Sequence, residues 1–362
     1  MVSVILPTFN EFENIKIIVP RILDVLSDSR LEGEVVIVDD DSPDGTSDAA
    51  VRLARDYPVR VYVRKNERGL ATAVMKGFEL ASGDICVIMD ADLSHPVEKI
   101  PKMVKPILEG KCDVTVGSRY TLGGDCESWP FMRRFISKFS GLLARGLTSL
   151  SDPTSGFMAI RRSALKGIIL DPVGWKIVLE VIVKTRARFQ EVPIIFSDRQ
   201  TGVSKLDTRV QAQYIVHLWR LYLFRYPVFF QFLKFCIVGF CGLMVDTAVL
   251  IGIVEFRHLD PRVAAVFAFL CAMSANYVLN RFWTFNTARA TRFATSYARF
   301  VAICVTGFFI RLGIMHLLIE FLDMGVEYWY VPASIVGIFV ATIFNFVGTK
   351  FIAFSSKLNE RT

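Results

Sequence analysis

Asp90 and Asp92 stand one residue apart near the end of the run VIMDADLSHP, Val87 to Pro96. The apolar residues before them predict a buried strand, and on a strand residues two apart project to the same face. Two carboxylates on one side repel each other unless positive charge lies between them, so the pair is a candidate metal site. The plainer alternative is that one Asp N-caps the next helix while the other is solvated in a loop. Deciding between the two requires the other polar residues that the fold would bring beside this pair.

From Met1 to about Ser118, short apolar runs alternate with helical patterns. VSVIL, EVVIVD, VRVYVR, DICVIM and DVTVGS predict strands; EFENIKIIVPRILDVL, TSDAAVRLARDY, LATAVMKGFELA and PVEKIPKMVKPILEG carry helical periodicity. This alternation predicts an α/β domain, a mostly parallel sheet with helices on both faces and functional residues at the C-terminal strand edge. The polar motifs fall there: PTFNE after the first strand, DDDSPDGT after the second, DADLSHP after the fourth and SRYTLGGDCESWP after the fifth. No G-x-G-x-x-G follows the first strand and no G-x-x-x-x-G-K-[ST] occurs anywhere, which argues against a dinucleotide oxidoreductase and a P-loop. Acids after two strands fit a different ligand: carboxylates accept hydrogen bonds from a ribose and a base edge, and a metal at D-x-D bridges a diphosphate. Arg119, one residue past a strand end, carries a fork suited to phosphate; the alternative is a stabilising surface arginine.

Together, PTFNE, VDDDSPDGT, GLATAVMKGFELASGD, MDADLSHP, GSRYTLGG, DPTSGF and GVSKL resemble the family 2 glycosyltransferases of GT-A (Rossmann-like) fold, specifically their dolichyl-phosphate mannose synthase branch. The resemblance runs to about Asp207. It implies that Pro7, Phe9, Glu11, Val38 and Asp40 surround the nucleoside, with Phe9 where relatives often carry Tyr. It further implies that Asp90 and Asp92, with Ala91 between them, hold the donor diphosphate through Mg²⁺ or Mn²⁺. Ser94 is the third expected ligand position, although some relatives have Gln there. His95 reads more simply as a helix-start residue or one that supports the ligands. Arg119 is expected at phosphate, Arg133 and Ser137 at the acceptor phosphate, and Arg199 and Lys205 in a loop that closes over the diphosphate. Asp92, Arg119 and Lys205 are the expected catalytic residues.

The segment WPFMRRFISKFSGLLARGL, Trp129 to Leu147, is amphipathic, with basic residues interleaved among Phe131, Phe135, Phe139, Leu142 and Leu143. It predicts a helix on a bilayer surface; a core-packed helix with a solvated basic face would share the pattern.

The chain has 362 residues, 52% of them hydrophobic and 30 of them Phe, and its mean hydropathy is +0.42. The apolar excess is concentrated after about Pro227, in four spans at roughly 232–256, 263–283, 300–321 and 329–352. Each is near the ~20 residues that cross a bilayer core. Arg and Lys precede the first span, separate the second from the third and follow the fourth, whereas the third-to-fourth connection is acidic. The positive-inside rule predicts cytoplasmic termini and a cytoplasmic catalytic domain in a multi-pass cell-membrane protein; the chain opens directly into a strand with no secretory signal. The net charge of +7 suggests lipid headgroups rather than nucleic acid as the anionic partner. The seven Cys lack zinc-ligand spacing and read as small core residues. SANYVLNRFWTF, from Ser274, lines up with IFNFVGTKFIAF, from Ile343, predicting two helical hairpins in parallel repeat. The polar Asp246, Asn276, Asn280, Arg311 and Asn345 at or inside the spans are expected to bond between helices. This half resembles GtrA-like four-helix domains.

The expected organisation is a glycosyltransferase domain over 1–210, an amphipathic linker over 211–230 and a four-helix transmembrane domain over 231–362. The resemblance implies inverting transfer of mannose from GDP-mannose to dolichyl or another polyprenyl phosphate. Two alternatives stand beside it: glucose transfer from UDP-glucose to such a lipid, and a lipid flippase or anchor carrying a nucleotide-binding domain.

Overall fold

The structure, a computed structural model, describes residues 1–126, 129, 131–174, 176–196, 208–257, 260–285, 291–321 and 330–355. It divides into two compact units, Met1–Arg225 and Tyr226–Thr362.

The first unit is built on the strands β1 (Val2–Thr8), β2 (Gly33–Asp39), β3 (Val59–Val63), β4 (Ile85–Ile88), β5 (Val114–Ser118), β7 (Met158–Arg161) and β8 (Phe189–Pro193). They form one sheet in the order β3-β2-β1-β4-β7-β5-β8. All neighbours are parallel except those of β7, which runs antiparallel to both β4 and β5. A small parallel ladder joins β6 (Asp125–Cys126) to β9 (Ile195–Phe196).

The central strands are apolar on both faces because both are covered. Val4 and Leu6 of β1, with Val35 and Ile37 of β2, pack with α1 (Phe12–Asp28), α2 (Thr46–Asp56) and α4 (Ile100–Leu108). Ile5, Val36 and Val38 face the other way, toward α3 (Leu70–Leu80) and α6 (Ile177–Thr185). The side chains sort by the two-residue period of a strand. Gly77 lets α3 approach the sheet closely: a Cβ there would lie 2.3 Å from Ile5 Cγ2.

Two further helices follow the sheet edge, α5 (Phe131–Ala144) and α7 (Thr208–Arg225). The Tyr214 and Tyr222 hydroxyls of α7 donate to the Ser140 and Leu143 carbonyls of α5, each at 2.8 Å. Leu179 and Val183 of α6 pack with Ala144, Leu218 and Leu221 to close this layer.

The second unit holds α8 (Pro227–Arg257), α9 (Pro261–Leu279), α10 (Phe293–Phe321) and α11 (Tyr330–Gly348). All four are long and apolar enough to cross a membrane. The repeat seen in the sequence is structural: α9 and α11 each end in a π-helical turn, Asn280–Thr284 and Thr349–Ala353. Each hairpin also seats an Asn on a glycine. A Cβ at Gly242 would lie 2.3 Å from the Asn276 amide, and one at Gly307 would lie 2.2 Å from Asn345 Oδ1. The expected bonding between helices is realised at Arg311, whose Nη2 donates to Ser334 Oγ at 3.1 Å. The Oδ1 atoms of Asn276, Asn280 and Asn345 are instead buried with no hydrogen-bond partner among the described residues, so these side chains serve packing as much as bonding.

Candidate active site

Three of the strand-edge loops turn through a non-glycine residue with positive φ: Asn10 (61°) after β1, Asp41 (55°) after β2 and Leu93 (62°) after β4. The left-handed region is accessible to Asn and Asp but costs a leucine on the order of 1–2 kcal/mol. That cost is held at the motif containing the paired acids.

The loops are pinned by hydrogen bonds. Buried Asp39 accepts from Thr8 Oγ1 (2.8 Å), Ser42 Oγ (2.7 Å) and the Ser42 amide (2.8 Å), locking the ends of β1 and β2 together. Asp40 accepts from Arg64 Nε (2.8 Å) and the Gly69 amide (2.8 Å), fixing the loop before α3. Arg68 lies over the Phe9 ring, 4.9 Å from its centroid. Beyond β4, the Ser94 hydroxyl and amide both donate to Asp92 Oδ1, at 2.5 and 3.1 Å. His95 Nδ1 accepts from the Asp90 amide at 3.0 Å, which places the ring proton on Nε2, 3.9 Å from Asp90 Oδ2. Burial pushes the His95 pKa down despite the acids nearby, so the imidazole is neutral, stacked on Phe157. It supports Asp90.

Arg119 is buried against Asp152: Nε donates to Oδ2 at 2.6 Å and Nη2 to Oδ1 at 2.8 Å. Nη2 also reaches Thr154 Oγ1 at 2.9 Å. Burial works to raise the Asp152 pKa, but the Arg119 charge and hydrogen bonds outweigh it and hold the carboxyl below its usual range. Ser137 Oγ lies 3.4 Å from the same Thr154 hydroxyl, and Arg133 stacks on Trp129 at 4.0 Å. Lys176, at the start of α6, is half-buried and donates to the Thr154 carbonyl at 2.8 Å. Burial first, and Arg119 second, pull its pKa down to about 8.

Of these groups, Thr8, Phe9, Asp40, Arg68, Asp90, Asp92, His95, Arg119, Arg133, Ser137, Thr154 and Lys176 line one cavity of about 900 Å³ in the first unit, with Asp39, Ser94 and Asp152 behind them. The sheet order sets them out along the cavity: Pro7, Phe9, Glu11 and Asp40 follow β1 and β2 at one end, Asp90, Ala91 and Asp92 follow the adjacent β4 and Arg119 follows β5, with Lys176 beside them, and Phe135, Phe139 and Leu143 of α5 with Val210 and Ile215 of α7 complete the lining. The polarity therefore grades along its length.

A family model described as glycosyl transferase family 2 matches residues 3–169, and one described as the GtrA/DPMS transmembrane domain matches residues 234–354. The dolichol-phosphate mannosyltransferase of Pyrococcus furiosus is 37% identical over 345 residues, 93% of this chain and 94% of that one. The chain belongs to the dolichol-phosphate mannosyltransferase family. The Saccharomyces cerevisiae dolichol-phosphate mannosyltransferase is 39% identical over 236 residues, covering 62% of this chain and 88% of its own. Among solved structures, a Mycobacterium tuberculosis glucosyl-3-phosphoglycerate synthase in complex with Mn²⁺ and UDP aligns with TM-score 0.48 at 21% identity, over 62% of this chain and 78% of that one. The transmembrane match and the four apolar helices make this family member an integral membrane protein.

Of the residues singled out in the sequence, Pro7, Phe9, Glu11, Asp40, Asp90, Ala91, Asp92, Arg119, Arg133 and Ser137 all line this cavity. Val38 is buried within β2 and Ser94 lies behind Asp92 as its hydrogen-bond donor, so neither lines it. Arg199 and Lys205 fall outside the described residues. The sequence motifs DPTSGF, from Asp152, and GWKIVLEVIVK, from Gly174, read as part of the acceptor side, but no individual role for Asp152, Thr154 or Lys176 was legible in them. Asp152 and Thr154 are 33 and 35 residues from the arginine they hold, a distance that no local pattern bridges. A lysine in the apolar context GWKIVLEV is a signal that could have marked Lys176, since an unsupported lysine is rarely buried.

Among the described residues no group of three or more His, Cys, Asp or Glu could hold a metal ion unaided. Two hard carboxylates facing a polar cavity, one steered by Ser94, nevertheless fit a cation that completes its shell with diphosphate oxygens and water.

Proposed function

We propose that this chain transfers mannose from GDP-mannose to the phosphate of a dolichyl or other polyprenyl lipid, at the cytoplasmic face of the cell membrane. The observation that carries the reading is the graded cavity: fixed polar groups at one end, charge in the middle and apolar side chains at the other. A water-soluble nucleotide sugar fits the first end and a lipid tail the last, so their reacting groups meet beside Asp90 and Asp92. The exposed Phe131, Phe135 and Phe139 of α5 then lie against the bilayer, each ring contributing about 2 kcal/mol when it leaves water.

In this reading Glu11 and Asp40 lie at the nucleoside, and Phe9 packs against the base beneath Arg68. Asp90 and Asp92, with Ser94 supporting Asp92, would hold Mg²⁺ or Mn²⁺, which supplies positive charge to the departing diphosphate. Arg119, Arg133 and Ser137 orient the acceptor phosphate, and Asp152 keeps Arg119 in place for it. Lys176 adds a cation between these groups. A phosphate monoester is already anionic near neutral pH, so its oxygen needs little help from a base; alignment and charge neutralisation do the work. The acceptor oxygen attacks the anomeric carbon in line, the bond from that carbon to the diphosphate oxygen breaks, GDP leaves and the sugar configuration inverts. Arg199 and Lys205 close over the diphosphate.

The test is a donor panel. Purified full-length protein in lipid, with Mn²⁺ and a polyprenyl phosphate, is offered labelled GDP-mannose, UDP-glucose and UDP-N-acetylglucosamine together. Mannosyl lipid as the sole labelled product is expected. Glucosyl lipid would transfer the mechanism to another donor, and no lipid product from any donor would overturn the reading.

A further inference from the structure

A second, smaller cavity of about 240 Å³ lies beside the first, where α5 faces the loop between β5 and β6. Thr121 and Gly124 form one wall, Arg134 and Lys138 the other. Arg134 donates to the Cys126 carbonyl and lies 3.5 Å from the Asp125 carboxylate. Its Nε, the Thr121 Oγ1 and the Tyr120 hydroxyl are buried with no hydrogen-bond partner among the described residues. Among the described residues Lys138 makes no ion pair; its Nζ lies 5.9 Å from the Tyr120 ring centroid. Among those residues two bases thus face one exposed carboxylate, since Arg119 at the floor is already neutralised by Asp152.

Buried polar groups left without partners are costly, and such groups ask for a missing water or ion. Arg134 Nε can only donate and the two hydroxyls can also donate, and the charge of the described residues around them is net positive, so an anion satisfies all three. The loop also says where it comes from. Leu122, between the two wall residues Thr121 and Gly124, is fully exposed. Gly123 turns the chain at φ +88°, and a Cβ on Gly124 would lie 2.5 Å from the Ser118 carbonyl, so the backbone is folded tightly to present that side chain. On α5, Arg134 and Lys138 form a row roughly 80° around the helix from the phenylalanine row, from the ~100° per residue of an α-helix. An apolar tip, an apolar stripe and a basic pocket lie together.

We propose that this cavity binds the phosphate of an anionic bilayer phospholipid, separately from the acceptor phosphate in the reaction cavity. Arg133 and Ser137 line only the large cavity, and Arg134 and Lys138 only the small one. The headgroup phosphate takes hydrogen bonds from Thr121 and Arg134 and charge from Lys138, while Leu122 enters the acyl region. Occupancy sets the attitude of α5 on the membrane and so favours entry of a lipid acceptor. The inference rests on the placement of α5 at the bilayer in the proposed function.

The test uses full-length protein in phosphatidylcholine vesicles with or without phosphatidylglycerol, at a fixed mole fraction of polyprenyl phosphate. Phosphatidylglycerol is expected to raise turnover about fivefold, the equivalent of the ~1 kcal/mol that one basic residue gains at an anionic surface. Thr121→Val changes no charge and little volume, and is expected to lose most of that stimulation, as is Lys138→Gln. Arg145→Gln, an equal loss of charge outside the cavity, is expected to keep more of it than Lys138→Gln. An equal response of wild type and Thr121→Val would overturn the proposal. So would saturable binding of inorganic phosphate with no lipid dependence, which would assign the pocket to a soluble anion. Turnover of every variant in detergent with a short acceptor reports the reaction itself, so failure there would strike the proposed function instead.

Discussion

The two ends of the reaction cavity are built in opposite ways. Along the strand edge, from the first end to the middle, Asp39, Asp40 and Asp92 are buried and hydrogen-bonded, and Leu93 is held in a left-handed turn. At the α5 end, Phe135 and Phe139 are half exposed and, among the described residues, stack on their neighbours in the same helix. The first end is rigid before any ligand arrives, as recognition of a polar, soluble molecule requires. The second presents apolar area in no fixed frame, which suits a flexible hydrocarbon chain. One cavity therefore keeps its specificity at one end and its tolerance at the other, with the charged groups between.

Substitutions should separate the two ends. Asp92→Ala is expected to lower kcat by at least about 10³-fold, comparable to losing an electrostatic stabiliser of a transition state. Mn²⁺ binding followed by electron paramagnetic resonance should weaken in step while circular dichroism stays unchanged. Full activity in that variant would remove the metal role from this end. Asp152→Ala leaves Arg119 buried without its partner and is expected to cost about 3–5 kcal/mol in urea unfolding of the full chain in detergent. Because the Asp152 pKa is held below its unfolded value near ~3.9, its contribution is in place above that pH and is lost as pH falls through the folded value.

Phe135→Ser with Phe139→Ser should raise KM for a long-chain acceptor about tenfold or more and leave KM for the donor alone. Equal changes in both would show that the ends are not separable. Lys176 sharpens the middle of the cavity: as pH rises through about 8 its charge is lost, so kcat/KM should fall along that limb. Lys176→Arg, which stays charged, should move the limb upward. The smallest effect belongs to Leu93→Gly, expected to change stability by about 1 kcal/mol or less, because relief of the left-handed leucine is offset by the lost packing of its side chain on the core and by glycine's greater freedom when unfolded.

The same contrast explains what could be read from the sequence. The strands ahead of PTFNE, DDDSPDGT and DADLSHP announce themselves by apolar runs, and the acids at their ends follow directly. The phenylalanine spacing of α5 is legible because helical periodicity is local. β7 was not legible: four residues are too few to show a period, and only their antiparallel place between β4 and β5 makes them a strand. The pairing of Arg119 with Asp152 and the partial burial of Lys176 are likewise tertiary facts. Nor does a leucine signal positive φ; the turn at Leu93 is imposed by the hydrogen bonds on either side, from Ser94 to Asp92 and between His95 and Asp90.

The central claim is that soluble donor and lipid acceptor occupy opposite ends of one cavity at the same time. It is tested most directly by a polyprenyl phosphate bearing a photoreactive group on its first isoprene units, crosslinked to full-length protein in vesicles with and without GDP and Mn²⁺. Adducts on α5 and α7, among Phe135, Phe139, Leu143 and Ile215, formed equally well when GDP is bound, are the predicted result. Adducts confined to other parts of the chain, or labelling that GDP abolishes, would contradict it.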